Sequence, residues 1–236
     1  AAADLLHGLP LVKVSDQLTW LAEVIVQQAL TLAWAELRAQ YGQPLRADGT
    51  PAVFGVIAYG KFGGIEMGYS SDLDLVFLHD CDSLDGDTQG GRSTITGGQL
   101  MARLSQRLIS WLSTHTGAGR AYEVDMELRP DGRRGMSASS LAGFAAYQNN
   151  NAWTWEHQAL TRARYVAGDP GLGEAFSKLR EQVLMRERDP AKLKTEIANM
   201  RQKMRDNLDK SGPDSSGARL WDIKQGPGGM IDIEFI

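Results

Sequence analysis

The residues Gly60-Lys-Phe-Gly-Gly-Ile-Glu-Met-Gly-Tyr-Ser-Ser-Asp-Leu-Asp74 place four glycines, a lysine and two serines ahead of two aspartates separated by one leucine. Apolar runs of strand length flank them, Val53–Tyr59 before and Leu75–Leu78 after. A loop of small residues lets backbone N–H groups approach phosphate closely. Carboxylates at i and i+2 of a strand share a face, and that face can hold a divalent cation. A phosphate cradle beside metal-binding carboxylates suits chemistry on a nucleoside triphosphate.

An isolated Asp-x-Asp usually reads as the polar outer face of a strand. Here Val76, Phe77 and Leu78 continue without alternation, so the strand enters a core, and aspartate is a poor strand former. A second segment, Arg120–Leu128, alternates throughout. It puts Val124, Met126 and Leu128 on one face and Glu123, Asp125 and Glu127 on the other. Beside the Asp72 strand it would add a third carboxylate; alone it reads equally well as a strand with a solvated acidic face. On the chemical reading, Asp72, Asp74 and Asp125 hold two magnesium ions about 4 Å apart, the usual clamp for displacement at phosphorus. Lys61 then supplies a point charge to the triphosphate. Backbone N–H groups of the loop, Gly60, Gly63, Gly64, Ser70 and Ser71 among its residues, cradle it, with glycine-type angles expected at Gly64. Arg129 is a further phosphate candidate, with an exposed salt-bridged arginine as the equal alternative.

Other chemistries find no support. Neither Gly-x-Gly-x-x-Gly spacing nor a P-loop occurs. His7, His79, His115 and His157 are scattered, and Cys81 is the one cysteine, so a zinc site has no ligand set.

The run Gly-Lys-Phe-Gly-Gly-x-Glu-x-Gly-Tyr-Ser-Ser-Asp-Leu-Asp-Leu resembles the nucleotidyltransferase superfamily related to DNA polymerase β. Within it, the run looks like the glutamine synthetase adenylyltransferase family. Lys61 stands where the superfamily has Gly or Ser. Further stretches are similar to that family: Leu9–Glu23, Tyr122–Gly132, Asn151–Arg164 and Asp222–Phe235. Glu127 departs from the family, which has an arginine there. The resemblance implies a polymerase β-like α+β fold, a mixed sheet with flanking helices, followed by a helical subdomain. It also implies ATP as substrate, magnesium, and a tyrosine of glutamine synthetase as acceptor. Family members carry one half that transfers AMP and one that removes it by phosphorolysis. Gly68-Tyr-Ser-Ser and Trp153–Ala159 look more like the transferring half. Glutamine and the PII signalling protein are the implied regulators. A nucleotide-binding module without catalysis is the reading from a different class; retention of all three aspartates argues against it.

Composition agrees with a globular chain. Of 236 residues, 42% are hydrophobic and 23% charged. A net charge of −4 gives no global attraction to nucleic acid or to an anionic membrane. A single cysteine points to a reducing, cytoplasmic setting, and no spanning segment stands out. The expected layout is a catalytic core over 1–140 with an N-terminal helix, and a mainly helical subdomain over 141–236, cut at its C-terminal end. Ser15-Asp16 is the expected cap of a helix closing at Gly42, with Leu18, Leu21 and Ile25 on its buried face. Asp82–Gly98 reads as a mobile loop, and Gln99–Thr116 as a helix burying Leu100, Leu104, Leu108 and Trp111. From Leu141 the pattern is helical to about Leu208, broken at Gly168–Pro170, with a polar linker over Lys210–Gly217. Trp153, Trp155, Arg162 and Arg164 are candidates for a nucleotide or protein surface, or for packing on the sheet.

Overall fold

The computed structural model describes residues 8–213, 215 and 217–235. Residues 1–7 of the expected first domain, 214 and 216 of the expected linker, and 236 lie outside the described residues. A 31-residue helix, α1 (Leu11–Tyr41), leads the chain. Pro10, extended and without an N–H to donate, sits at its N-cap. The start is thus earlier than Ser15-Asp16, and Asp16 lies inside the helix, paired with Lys13 at 3.5 Å. Gly42 ends it at φ +85°, as expected. Val14, Ala22, Val26, Leu30, Ala33 and Leu37 are its buried apolar stripe. Leu18 and Ile25 only flank that stripe, and Leu21 is exposed. Among the described residues α1 is the one helix long and apolar enough to cross a membrane. Its buried stripe packs on α3 (Gly97–Ser113) and the sheet, as a core helix does.

The sheet is mixed. β2 (Phe54–Ala58) pairs antiparallel with β3 (Leu73–His79), and a one-turn helix, α2 (Gly60–Gly63), lies between them in sequence. The strand order is β5-β3-β2-β7, with β5 (Val124–Asp125) parallel to β3 and β7 (Arg164–Gly168) antiparallel to β2. β6 (Ser139–Ser140) pairs with the far end of β3. Alternation sends Phe54, Val56, Leu75 and Phe77 toward α1 and α3. It sends Ile57, Tyr59, Val76 and Leu78 toward Phe144 of α4 (Leu141–Asn150), past which the chain continues into α5 (Thr154–Leu160), and toward Leu172 and Phe176 of α6 (Pro170–Leu184). Both faces are covered, which is why Leu75–Leu78 reads as a continuous apolar run. Each of these side chains contributes about 1.5–3 kcal/mol by leaving water.

Three expectations change. β7 forms inside the stretch expected to be helical, because Tyr165 and Val166 suit a pleated, covered strand. Segment 82–98 is tied down rather than loose. β4 (Gln89–Gly90) pairs with β1 (Gly42–Gln43), and the buried Thr88 hydroxyl donates to the Tyr41 carbonyl. α3 begins at Gly97 through a capping box between Thr96 and Gln99; Leu100, Leu104 and Leu108 are buried, while Trp111 is 38% exposed.

The chain clusters into two compact units. One comprises residues up to 152 together with 159–184; the other comprises 153–158 and the chain from 185 onward. Segments 141–152 and 159–184 thus group with the sheet. In the second unit, α7 (Pro190–Leu208) starts from an Asp189 cap. The expected linker carries a short ladder, β8 (Gly212–Pro213) with β9 (Arg219–Leu220). A last helix, α8 (Met230–Glu234), supplies Asp232 to buried Arg201 (2.6 Å) and to Arg205 (2.9 Å). Hydrogen bonding from Arg201 foremost holds the Asp232 carboxyl down at about 2.

Candidate active site

Asp74 and Asp125 come together through strand register. β5 lies beside the start of β3 so that Leu73 opposes Val124 and Asp74 opposes Asp125. The Leu73 N–H donates to the Glu123 carbonyl, and the Tyr59 N–H to the Asp74 carbonyl, both at 2.9 Å. Asp74 shares a face with Val76 and Leu78, so its carboxylate sits where the apolar cover of that face gives way. Asp125, its parallel partner, emerges on the same side. Both are half-buried; Asp72, one residue before the strand, is exposed. Asp72 and Asp125 line a cavity of about 460 Å³ with Ser113, Arg120, Glu123, Glu127 and Arg129.

The expected nine-residue strand is only two residues long. Asp125 Oδ1 accepts the N–H of Glu127 at 2.7 Å, an Asx turn that carries the chain out of the sheet. Val124 and Met126 pack on one side of the sheet and Leu128 on the other, so the alternating face does not persist. Glu123 is engaged by Arg120, three residues away. Arg129 enters the cavity wall with Nη1 donating to the Met126 carbonyl (3.1 Å) and Nε to Gly135 (3.4 Å).

The glycine-rich loop departs from the expected cradle. Its first four residues form α2, and several amides are spent inside the loop. Gly63 donates to Tyr59 (2.8 Å), Gly64 to Gly60 (3.0 Å), Glu66 to Lys61 (2.8 Å) and Ser71 to Gly68 (3.2 Å). Gly68 donates to the Ser71 hydroxyl at 2.9 Å. Gly64 has ordinary right-handed angles, φ −79° and ψ 0°. The positive angles fall at Gly60 (φ +53°) and at Ile65 (φ +61°), where a β-branched residue pays roughly 1–3 kcal/mol. A Cβ on Gly60 would lie 2.1 Å from Asp74 Oδ2. Gly60 is therefore glycine because a carboxylate rests against it. Lys61 and Ser70 are exposed.

Arg162 and Arg164 face this turn from behind. Arg162 pairs with Glu66 at 3.0 Å, and Arg164 with Glu23 of α1 at 2.7 Å. Trp153 and Trp155, expected near them, are exposed and group with the second unit. The sequence reading missed Glu23 and the backing role of Gly60, and no local pattern marks either.

Among the described residues no three acidic, histidine or cysteine side chains are arranged to hold a metal ion by themselves. The donor set still fits magnesium. That ion is commonly bound by one or two carboxylates plus substrate phosphates rather than by an all-protein cage. Asp74 and Asp125 are two hard oxygen donors on adjacent strands, with Asp72 nearby in sequence.

Comparison with known proteins gives these residues a lineage. The family model described as glutamate-ammonia ligase adenylyltransferase matches residues 1–179. The chain belongs to that family. Three relatives, from Pseudomonas syringae pv. tomato, Pseudomonas aeruginosa and Hahella chejuensis, are each 49% identical across the whole of this chain. Each is named a bifunctional glutamine synthetase adenylyltransferase/adenylyl-removing enzyme. The chain spans about a quarter of the length of these curated relatives: 25% of the two Pseudomonas proteins and 24% of the Hahella protein. The glutamate-ammonia ligase adenylyltransferase match covers α1, the whole sheet and both carboxylate strands.

Proposed function

We propose that this chain is a polymerase β-like nucleotidyltransferase domain that transfers AMP from ATP to a tyrosine of glutamine synthetase. The observation that carries the reading is the in-register pair Asp74 and Asp125, with Gly60 and its turn against the Asp74 carboxylate. In the reaction a tyrosine oxygen attacks the α-phosphorus of ATP. The new O–P bond forms as the bond to the β-phosphate oxygen breaks, and pyrophosphate leaves. Asp125, its carboxylate oriented by the Glu127 N–H, is placed to take or direct the tyrosine proton. Asp74 and Asp125, with Asp72 at the cavity edge, are the residues that would hold magnesium. Bound there, the ion would neutralise charge developing on the phosphates. Lys61 and Arg129 supply positive charge for the outer phosphates. In the longer protein, glutamine and a PII-type protein are the regulators this reading implies, in the cytoplasm.

A second reading is phosphorolytic removal of AMP, in which phosphate attacks the same phosphorus and ADP leaves with the tyrosine released. The relatives' names pair both activities, which favours keeping it. One experiment separates the two. The chain is mixed with unmodified glutamine synthetase, labelled ATP and magnesium, then with the modified enzyme and phosphate. Label on tyrosine in the first mixture supports transfer. ADP release in the second alone overturns it in favour of removal.

A further inference from the structure

Arg164 opens β7 opposite Ala58 of β2, and its guanidinium reaches past the sheet to the end of α2. Nε donates to the Gly63 carbonyl and Nη2 to the Phe62 carbonyl, both at 3.2 Å. These belong to the last carbonyls of a one-turn helix, which cannot all find partners within it. Nη2 also pairs with Glu23 of α1 at 2.7 Å. The turn is pressed onto the segment leading into β7. A Cβ on Gly63 would meet the Arg162 carbonyl at 2.1 Å and the Ala58 carbonyl at 2.6 Å. Ile65, just beyond, holds φ +61°, a conformation that persists only where its surroundings enforce it. Arg162 pairs with Glu66, the residue after Ile65, and Arg164 bonds the carbonyl of Gly63, two residues before it. At the turn's opposite end Gly60 backs the Asp74 carboxylate.

We propose that Arg164, held by Glu23, is a positioning residue for the nucleotide site. It fixes the Gly60–Glu66 turn by two carbonyls and, through Gly60, sets where the Asp74 carboxylate points. The proposal rests on the nucleotide-site reading given above. A lysine would keep the charge but not the planar fork that spans two carbonyls and a carboxylate at once.

The test uses this chain with Arg164→Met, Arg164→Lys and Glu23→Gln. Hydrogen exchange is followed at the amides of Gly63, Gly64 and Glu66, and MgATP affinity is measured by calorimetry. Arg164→Met is expected to speed exchange at these three amides by roughly tenfold or more, with β2 and β3 amides unchanged, and to weaken MgATP by roughly tenfold. Arg164→Lys should recover less than half of either effect, and Glu23→Gln should fall between wild type and Arg164→Met. If Arg164→Met fails to fold, the other two variants carry the same comparison. Wild type that binds MgATP beside a folded variant with unchanged affinity and exchange overturns the clamp and leaves the site standing. Exchange rising equally across the sheet also overturns it, since Arg164 would then serve general stability. Wild type that does not bind MgATP removes the site and the positioning role together.

Discussion

Replacing Gly60 by alanine separates two costs that the structure assigns to one position. The first is conformational. At φ +53° an alanine pays about 1–2 kcal/mol in the left-handed region, offset in part by roughly 0.4–1 kcal/mol from a stiffer unfolded chain. Gly49, at φ +82°, carries a comparable backbone cost, yet a Cβ there meets nothing within 4 Å. The second cost belongs to Gly60 alone. Its Cβ would stand 2.1 Å from Asp74 Oδ2, so the carboxylate must retreat by roughly 1.3 Å to reach an ordinary 3.4 Å contact. A displacement of about 1 Å at a reacting centre costs on the order of 100-fold in rate. That corresponds to about 2.7 kcal/mol of barrier. Both variants should therefore unfold at similar denaturant concentrations, each within about 1–2 kcal/mol of wild type. Only Gly60→Ala should lose AMP transfer to glutamine synthetase, by roughly 100-fold. Turnover of Gly60→Ala within twofold of Gly49→Ala would refute the claim that Asp74 must rest against residue 60.

Asp125→Asn should lower turnover by roughly 100-fold or more while MgATP still binds, whereas Glu123→Gln, which only loses its pairing with Arg120, should stay close to wild type; comparable losses in a steady-state assay would make the acidic face generic. Lys61→Met, at an exposed position, should weaken ATP by roughly ten- to a hundredfold and AMP much less, as read by calorimetry; unchanged ATP affinity removes Lys61 from the site. His79, at the far end of β3 from Asp74, is almost fully buried, and burial pushes its pKa from 6.5 down to about 4. The unfolded chain binds that proton first as pH falls, so stability is complete above about pH 6.5 and is lost as pH drops toward 4, by about 3 kcal/mol in all. Denaturant unfolding from pH 4.5 to 7.5 should show that slope in wild type and a flatter one in His79→Gln.

Asp74 was legible because it combines two signals that seldom coincide: aspartates two apart, and an unbroken apolar run just after them. The run demands a strand covered on both faces, and the structure supplies Phe77 to one side and Val76 and Leu78 to the other. Asp125 was legible only as a candidate. Its worth depends on the pairing of Asp74 with a residue 51 positions away, and two-residue strands leave too little alternation to announce such a register. The same limit hid β7, whose short Tyr-Val core sits between helical stretches. The glycine loop was misjudged for a different reason. A glycine reports that something comes close to the backbone, but not what comes close. At Gly63 the close neighbours are the Arg162 and Ala58 carbonyls, at Gly60 the neighbour is the Asp74 carboxylate, and the amides from Gly63 to Ser71 turn largely inward. Residue types therefore marked Gly60–Asp74 as a candidate site while assigning its glycines to phosphate. Their contacts assign them to holding the turn, and with it the Asp74 carboxylate, in place. Arg164 follows from the same logic. Its acceptors in the turn are the backbone carbonyls of Phe62 and Gly63, which carry no sequence signature, so only the folded chain could connect that arginine to the turn.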